Sequence, residues 1–216
     1  MALVTSQAEK TIVDSLLKHF PKALCHSLEE GLVAAGARAY RDSAQRHEGH
    51  LASVLGQARH FHSNEQFALA LDMAGIAHNP LRGNDIIIGE QGPLLIGRFC
   101  TRHSKWNNAK RSKRRLEVAS HNQWLERMVQ PGLFSEPSTG PQIAVFLVSV
   151  YSSNIRIQPE CPLSVEIAVL DTTLCERLFS EPLSVFLGRY AQPVEQQDIA
   201  RVQLKTVVKK QQDSQP

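Results

Sequence analysis

The chain has 216 residues, of which 42% are hydrophobic and 21% charged, enough apolar material for a sizeable core and too much for a disordered chain. Its net charge of +3 comes from 24 Lys and Arg against 21 Asp and Glu, and is unevenly distributed. Eight of the cations fall between Arg98 and Arg115, where no acid occurs, so a basic patch sits on an otherwise acidic body, which points to a local anionic partner.

Residues 8–20 carry Ile12, Val13, Leu16, Leu17 and Phe20 at helical spacing, and Pro21 closes the segment. Glu9, Lys10 and Asp14 interrupt it, so neither a signal peptide nor a membrane span is expected, and a cytoplasmic location is. Ser27 and Glu30 form a capping-box pattern that predicts a second helix to about Arg46. A polar, His-bearing helix or loop follows to residue 62, then a short helix over "FALALDMAG", with Ser63 and Gln66 as its start signal and Gly75 as its end. "DIIIG" and "LLIGRF", separated by "EQGP", predict a β-hairpin. A helix is expected over Leu116–Val129 and a loop over Pro131–Pro141. "IAVFLVSVY" (143–151) predicts a central strand covered on both faces, and "LSVEIAVLD" (163–171) a second one. A helix around Thr172–Phe179 and a polar tail complete the reading. The expected fold class is mixed α/β, a small mixed sheet flanked by helices, with a helical N-terminal region (1–63), a core domain (64–203) and a tail (204–216).

Cys25, Cys100, Cys161 and Cys175 are scattered, with no C-x-x-C pair, which argues against a zinc knuckle or a disulfide framework. No P-loop, G-x-G-x-x-G or G-x-S-x-G is present. His47 and His50 share a helical spacing but lack a third ligand nearby.

The basic stretch reads as a nucleic-acid contact. Arg98, Arg102, Lys105, Lys110, Arg111, Lys113, Arg114 and Arg115 supply phosphate-binding charge, Trp106 a stacking face, and Asn107 and Asn108 groups suited to base edges. On a helix starting near Asn108, Lys110, Arg111, Arg114 and Arg115 would share one side. The competing reading is a solvated or address-like charge run.

Asp85 opens the hairpin just after a Gly-containing turn, where an acid either caps the turn or holds a divalent metal. From Asp85 onwards, "NDIIIGEQGPLLIGRFCTRHSKWNNAKRSKRRLEVASHNQWLE" resembles the core of the PD-(D/E)XK, or restriction-endonuclease-like, nucleases. That family has an Asp-led strand, a hairpin, a strand bearing Glu-x-Lys, a Ser/Asn/Arg-rich loop, a helix and an apolar strand. The chain departs from the pattern where Glu-x-Lys belongs, reading Gly97 or Arg98, then Phe99 or Cys100. The resemblance implies a DNA-binding protein, a homodimer straddling a duplex, and either a Mg²⁺-dependent endonuclease with a rearranged site or a non-cleaving relative. In the first case Asp85 and Glu117 would hold Mg²⁺ and Lys105 would take the lysine's catalytic place. The alternative function class is a regulatory protein whose basic loop docks an acidic protein partner.

Overall fold

The computed structural model describes residues 2–103, 106–129, 142–154 and 156–191; side chains 2–6 and 106–108 are excepted. Six strands form one mixed sheet in sequential order. They are β1 (Ala77–His78), β2 (Gly89–Gln91), β3 (Leu94–Arg102), β4 (Ile143–Tyr151), β5 (Ser164–Leu170) and β6 (Arg177–Pro182). Neighbours are antiparallel except β3 and β4, which run parallel with Cys100 opposite Ser149 and Arg102 opposite Tyr151. The fold is the expected mixed α/β arrangement.

Period-2 alternation sorts the side chains of β3 and β4 onto two faces. Leu94, Ile96, Ile143, Val145 and Leu147 face one core, shared with Ile12, Leu16, Phe20, Leu28 and Phe67 from the N-terminal helices. Leu95, Phe99, Phe146 and Val148 face a second core, closed by Ala109, Val118 and Ala119. β4 is buried at all nine positions, as its continuous apolar run requires.

The helices begin earlier and run longer than the cap signals predict. After α1 (Ala2–His19), α2 spans Lys22–Ala44 with Pro21 at its N-cap, so Ser27 and Glu30 lie inside it. The buried stripe Leu24, Cys25, Leu28, Leu32 starts before the capping box and overrides it. α3 is one helix, Glu48–Met73, started by the His47 ring, which accepts from the Gly49 N–H at 3.2 Å. Leu55, Ser63, Asn64, Phe67 and Leu71 are its buried positions, so no break falls at residue 63, and the expected boundary between 63 and 64 lies within a helix.

The hairpin is present, but its first arm pairs only over Gly89–Gln91. Ile86–Ile88 precede the ladder, and the Asn79 side chain serves them instead: its amide donates to the Ile86 carbonyl and its oxygen accepts from the Ile88 N–H. Between β3 and β4 come a 3₁₀-helix (Trp106–Arg111), α4 (Lys113–Ala119), a 3₁₀ turn (Ser120–Asn122) and α5 (Gln123–Val129). Two breaks therefore divide the basic stretch and the helix expected after it. Ser112 caps α4, accepting from the Arg115 N–H, and buried Asn122 bonds Ala144 and the Leu170 carbonyl.

Thr172–Phe179 is not a helix. The Asp171 carboxylate accepts the Cys175 and Glu176 amides and the Thr173 hydroxyl, closing a turn into β6. Leu174, buried at φ 57°, sits at its apex. The final helix, α6, spans Leu183–Arg189. The loop expected over 131–141 and the tail expected over 204–216 lie outside the described residues. No helix among the described residues is long and apolar enough to cross a membrane.

Candidate anion-binding cleft

Arg98 stands on the even-numbered face of β3, beneath α3, and is 3% exposed. It was expected at a DNA surface; β3 instead carries it inward, because residues 94, 96 and 98 share the face that packs on the N-terminal helices. No carboxylate among the described residues meets it. Its Nε and Nη2 donate to Asn64 Oδ1 at 3.0 and 2.6 Å, Nη2 also reaches the His60 carbonyl at 2.5 Å, and Nη1 lies 3.6 Å from Cys100 Sγ. The Asn64 amide nitrogen in turn holds the Asp85 carbonyl at 2.9 Å. A neutral amide thus stands where a buried guanidinium ordinarily finds an acid.

Above Arg98 opens a cleft of about 230 Å³. It lies at the carboxyl ends of the parallel pair β3 and β4, the position where open α/β sheets bind ligands. α3 contributes Leu55, Gly56, Arg59 and His60, the strands Arg98, Cys100, Arg102 and Tyr151, α4 Arg115, and the segment after β4 Asn154, Gln158 and Pro159. Among the described residues, four arginines line it and no acidic side chain does.

The guanidiniums are held in place by non-acidic neighbours. Arg59 lies 3.6 Å over the Tyr151 ring and donates to the Pro159 carbonyl at 2.5 Å, while its Nε is buried without a partner. Arg115 lies 5.7 Å from the Phe99 ring centre, and its Nε is likewise buried and unpartnered. Burial, then the nearby Arg98 charge, pushes Arg115 down to about 10. Burial lowers Arg98 and Arg59 as well. The His60 imidazole is lowered by burial first, then by Arg98 and Arg115, and so stays neutral near pH 7. Burial raises the Tyr151 phenol. A bound negative charge would favour the charged forms of the three guanidiniums and of His60.

The cleft continues along α3. A neighbouring hollow shares Gly56, His60 and Arg115 with it and extends to Asn84 and Ser112. A third shares Asn84 and Ser112 and ends at Asp85 and Arg114. Asp85 is the one acid among the described residues lining these three hollows.

The expected site residues separate. Arg98 and Arg115 point into the cleft and Arg102 lies at its exposed rim. Lys110, Arg111, Lys113 and Arg114 are exposed, and Arg114 pairs with Glu117 at 2.8 Å. Lys110 and Arg111 sit on the 3₁₀-helix and Arg114 and Arg115 on α4, so the single helical face does not form. Lys105 and the side chains of Trp106, Asn107 and Asn108 lie outside the described residues. Asp85 is exposed, outside the ladder, at a turn closed by its N–H on the Arg82 carbonyl at 2.9 Å. Its hollow holds Arg114 and no second carboxylate, and Glu117 is engaged by that same arginine. Among the described residues no group of three or more His, Cys, Asp or Glu side chains converges. A carboxylate beside an arginine is a poor donor set for Mg²⁺, which favours one or two free carboxylates with water. The position of the missing Glu-x-Lys is also filled for packing: a β-carbon on Gly97 would lie 3.1 Å from Phe146 and 3.2 Å from Ile88.

Arg59, Asn64 and Tyr151 were not anticipated. The signal for them was Arg98 itself, a cation inside the apolar run "LLIGRFC", which must find buried partners.

No family model, curated protein or solved structure matches this chain.

Proposed function

We propose that this protein binds nucleic acid through the basic groove between α3 and α4, and that it holds rather than cuts. The observation that carries this reading is the concentration of arginines, Arg59, Arg98, Arg102 and Arg115 in the cleft and Arg114 beyond it, against Asp85 as the one acid among the described residues lining the three hollows. Lys110, Arg111 and Lys113 are exposed on the same crossover and extend the positive surface. Charge of this kind attracts phosphates by releasing their counterions. The order of hairpin, basic crossover and central strand agrees with the layout of a restriction-endonuclease-like core, while the pairing of Glu117 with Arg114 argues against a metal shared with Asp85.

Fluorescence anisotropy with duplex and single-stranded DNA, titrated across salt, tests the reading. Neutralising several phosphates should make affinity fall steeply as salt rises. Affinity indifferent to salt would sink it. Incubating plasmid with the protein and Mg²⁺ or Mn²⁺ should leave the DNA intact. Cleavage that Asp85→Ala abolishes would restore the nuclease.

A further inference from the structure

The cleft above Arg98 is chemically distinct from the surface that flanks it. A duplex backbone presents phosphodiesters on a broad, rigid cylinder, and such phosphates meet exposed cations such as Arg102 at the rim and Lys113 on the crossover. They do not reach a guanidinium that is 3% exposed at the floor of a 230 Å³ cleft. Only a chain end or a small molecule can deliver a phosphate to that depth. The charge argues the same way. A phosphodiester carries one negative charge, whereas a phosphomonoester carries up to two near pH 7. Arg59, Arg98 and Arg115 come from three different elements and meet no acid among the described residues here. Donors converging from several directions suit a tetrahedral oxyanion with three free oxygens better than a flat carboxylate, which a single guanidinium fork satisfies.

We propose that this cleft is a seat for a phosphomonoester dianion, with Arg98 at its floor and Arg59 and Arg115 at its sides. Resting on the nucleic-acid reading, the source that fits the adjoining groove is the terminal phosphate of a strand. The rest of that strand would follow the groove past Ser112 towards Arg114. A free phosphorylated metabolite shares the same chemistry, and the two sources are separable.

Gly56 gives the means of testing it. It lies on α3 at the cleft wall, and a β-carbon there would meet nothing within 4 Å. Gly56→Phe therefore starts from open space and adds a ring at the cleft wall, and most non-glycine residues there also favour the helix. Gly56→Ala is the control for folding. A second variant, Asn64→Asp, supplies Arg98 with the carboxylate it lacks and neutralises the floor.

Affinity is read by anisotropy for single strands identical but for a 5′-phosphate, a 3′-phosphate or free hydroxyls, and by calorimetry for inorganic phosphate and a nucleoside monophosphate at constant ionic strength. Charge-assisted hydrogen bonds of this kind correspond to about tenfold or more tighter binding of one phosphorylated end. Gly56→Phe and Asn64→Asp should erase that preference, and Gly56→Ala should keep it. Strands that bind with steep salt dependence but without regard to end phosphorylation overturn the seat and leave the nucleic-acid reading standing. Inorganic phosphate and the monophosphate binding in a Gly56→Phe-sensitive way, while no strand binds, supports the seat and overturns the nucleic-acid reading. Phosphate binding unaltered in both cleft variants overturns the seat.

Discussion

Arg98 on β3 and Asn64 on α3 meet through two hydrogen bonds to a single amide oxygen, at 3.0 and 2.6 Å, and this pair ties the helix layer to the sheet. The same amide holds the Asp85 carbonyl, so one side chain fixes the helix, the strand and the approach to the hairpin. Removing a partner from a buried charge leaves that charge uncompensated, at a cost of about 3–5 kcal/mol. Asn64→Ala should lose stability of that order in urea denaturation, and added phosphate should recover part of it by supplying the missing counter-charge. A loss under about 1 kcal/mol would mean that water reaches Arg98 freely.

Gly97 occupies one of the two positions where the nuclease pattern would place its glutamate. Its place on β3 puts any β-carbon against Phe146 on β4 and Ile88 before β2. Both are buried side chains of the second core. Gly97→Ala should cost about 1–3 kcal/mol by overpacking, and Gly97→Glu, which restores the acid of the motif, should fail to give a cooperative unfolding transition. A Gly97→Ala protein as stable as the parent would show that the Phe146 ring can move aside.

Four of the six strands were legible in the sequence: β4 is an uninterrupted apolar run, β5 follows it as a second, and the hairpin of β2 and β3 is set by Gly92 and Pro93 between two apolar segments, whereas β1 and β6 were not read. Helix boundaries were not, since Ser27 and Ser63 carry cap chemistry that a buried stripe overrode. The turn after β5 was lost because Asp171 bonds to amides four and five residues ahead, a geometry that apolar periodicity does not encode. For the site, charge count located the patch but not its depth. Exposed Arg114 and inward Arg115 are adjacent in sequence, and the Ser112 cap, which sets where α4 starts, turns Arg115 into the cleft and Arg114 into the far hollow. Arg59 and Tyr151 stack across 3.6 Å from elements 92 residues apart in the chain, a contact that no local pattern announces.

His60 gives the protein an acid-side weakness. Its imidazole is held below the ordinary 6.5 by burial and by Arg98 and Arg115, with Arg59 lining the same cleft and the Asn64 amide 3.2 Å from its Nε2. The unfolded chain takes up the proton near pH 6.5 and the folded one only at lower pH. The stability linked to His60 is therefore fully present above 6.5 and is lost as pH falls through 6.5 towards the folded value. Melting temperatures between pH 8 and pH 5 should fall more steeply for the parent than for His60→Gln. Phosphate should flatten the parent's slope by offsetting the two arginines. Parallel slopes would remove His60 from the account.

Glu117 restrains Arg114 at the far end of the groove, where both side chains are more than half exposed. An exposed i, i+3 pair of this kind contributes little stability, so Glu117→Gln should melt close to the parent temperature. It also removes an acid beside a cation that the proposed function assigns to phosphate binding. DNA affinity should then rise a fewfold at low salt, the gain shrinking as salt screens it. The salt slope should steepen by about one if Arg114 takes up a phosphate it previously did not contact. A nuclease metal ligand would behave otherwise: Glu117→Gln would leave affinity in the absence of Mg²⁺ unchanged and abolish a Mg²⁺-dependent cleavage seen in the parent. Measuring both quantities on the same two proteins separates a cation restrained by its neighbour from a carboxylate reserved for a metal.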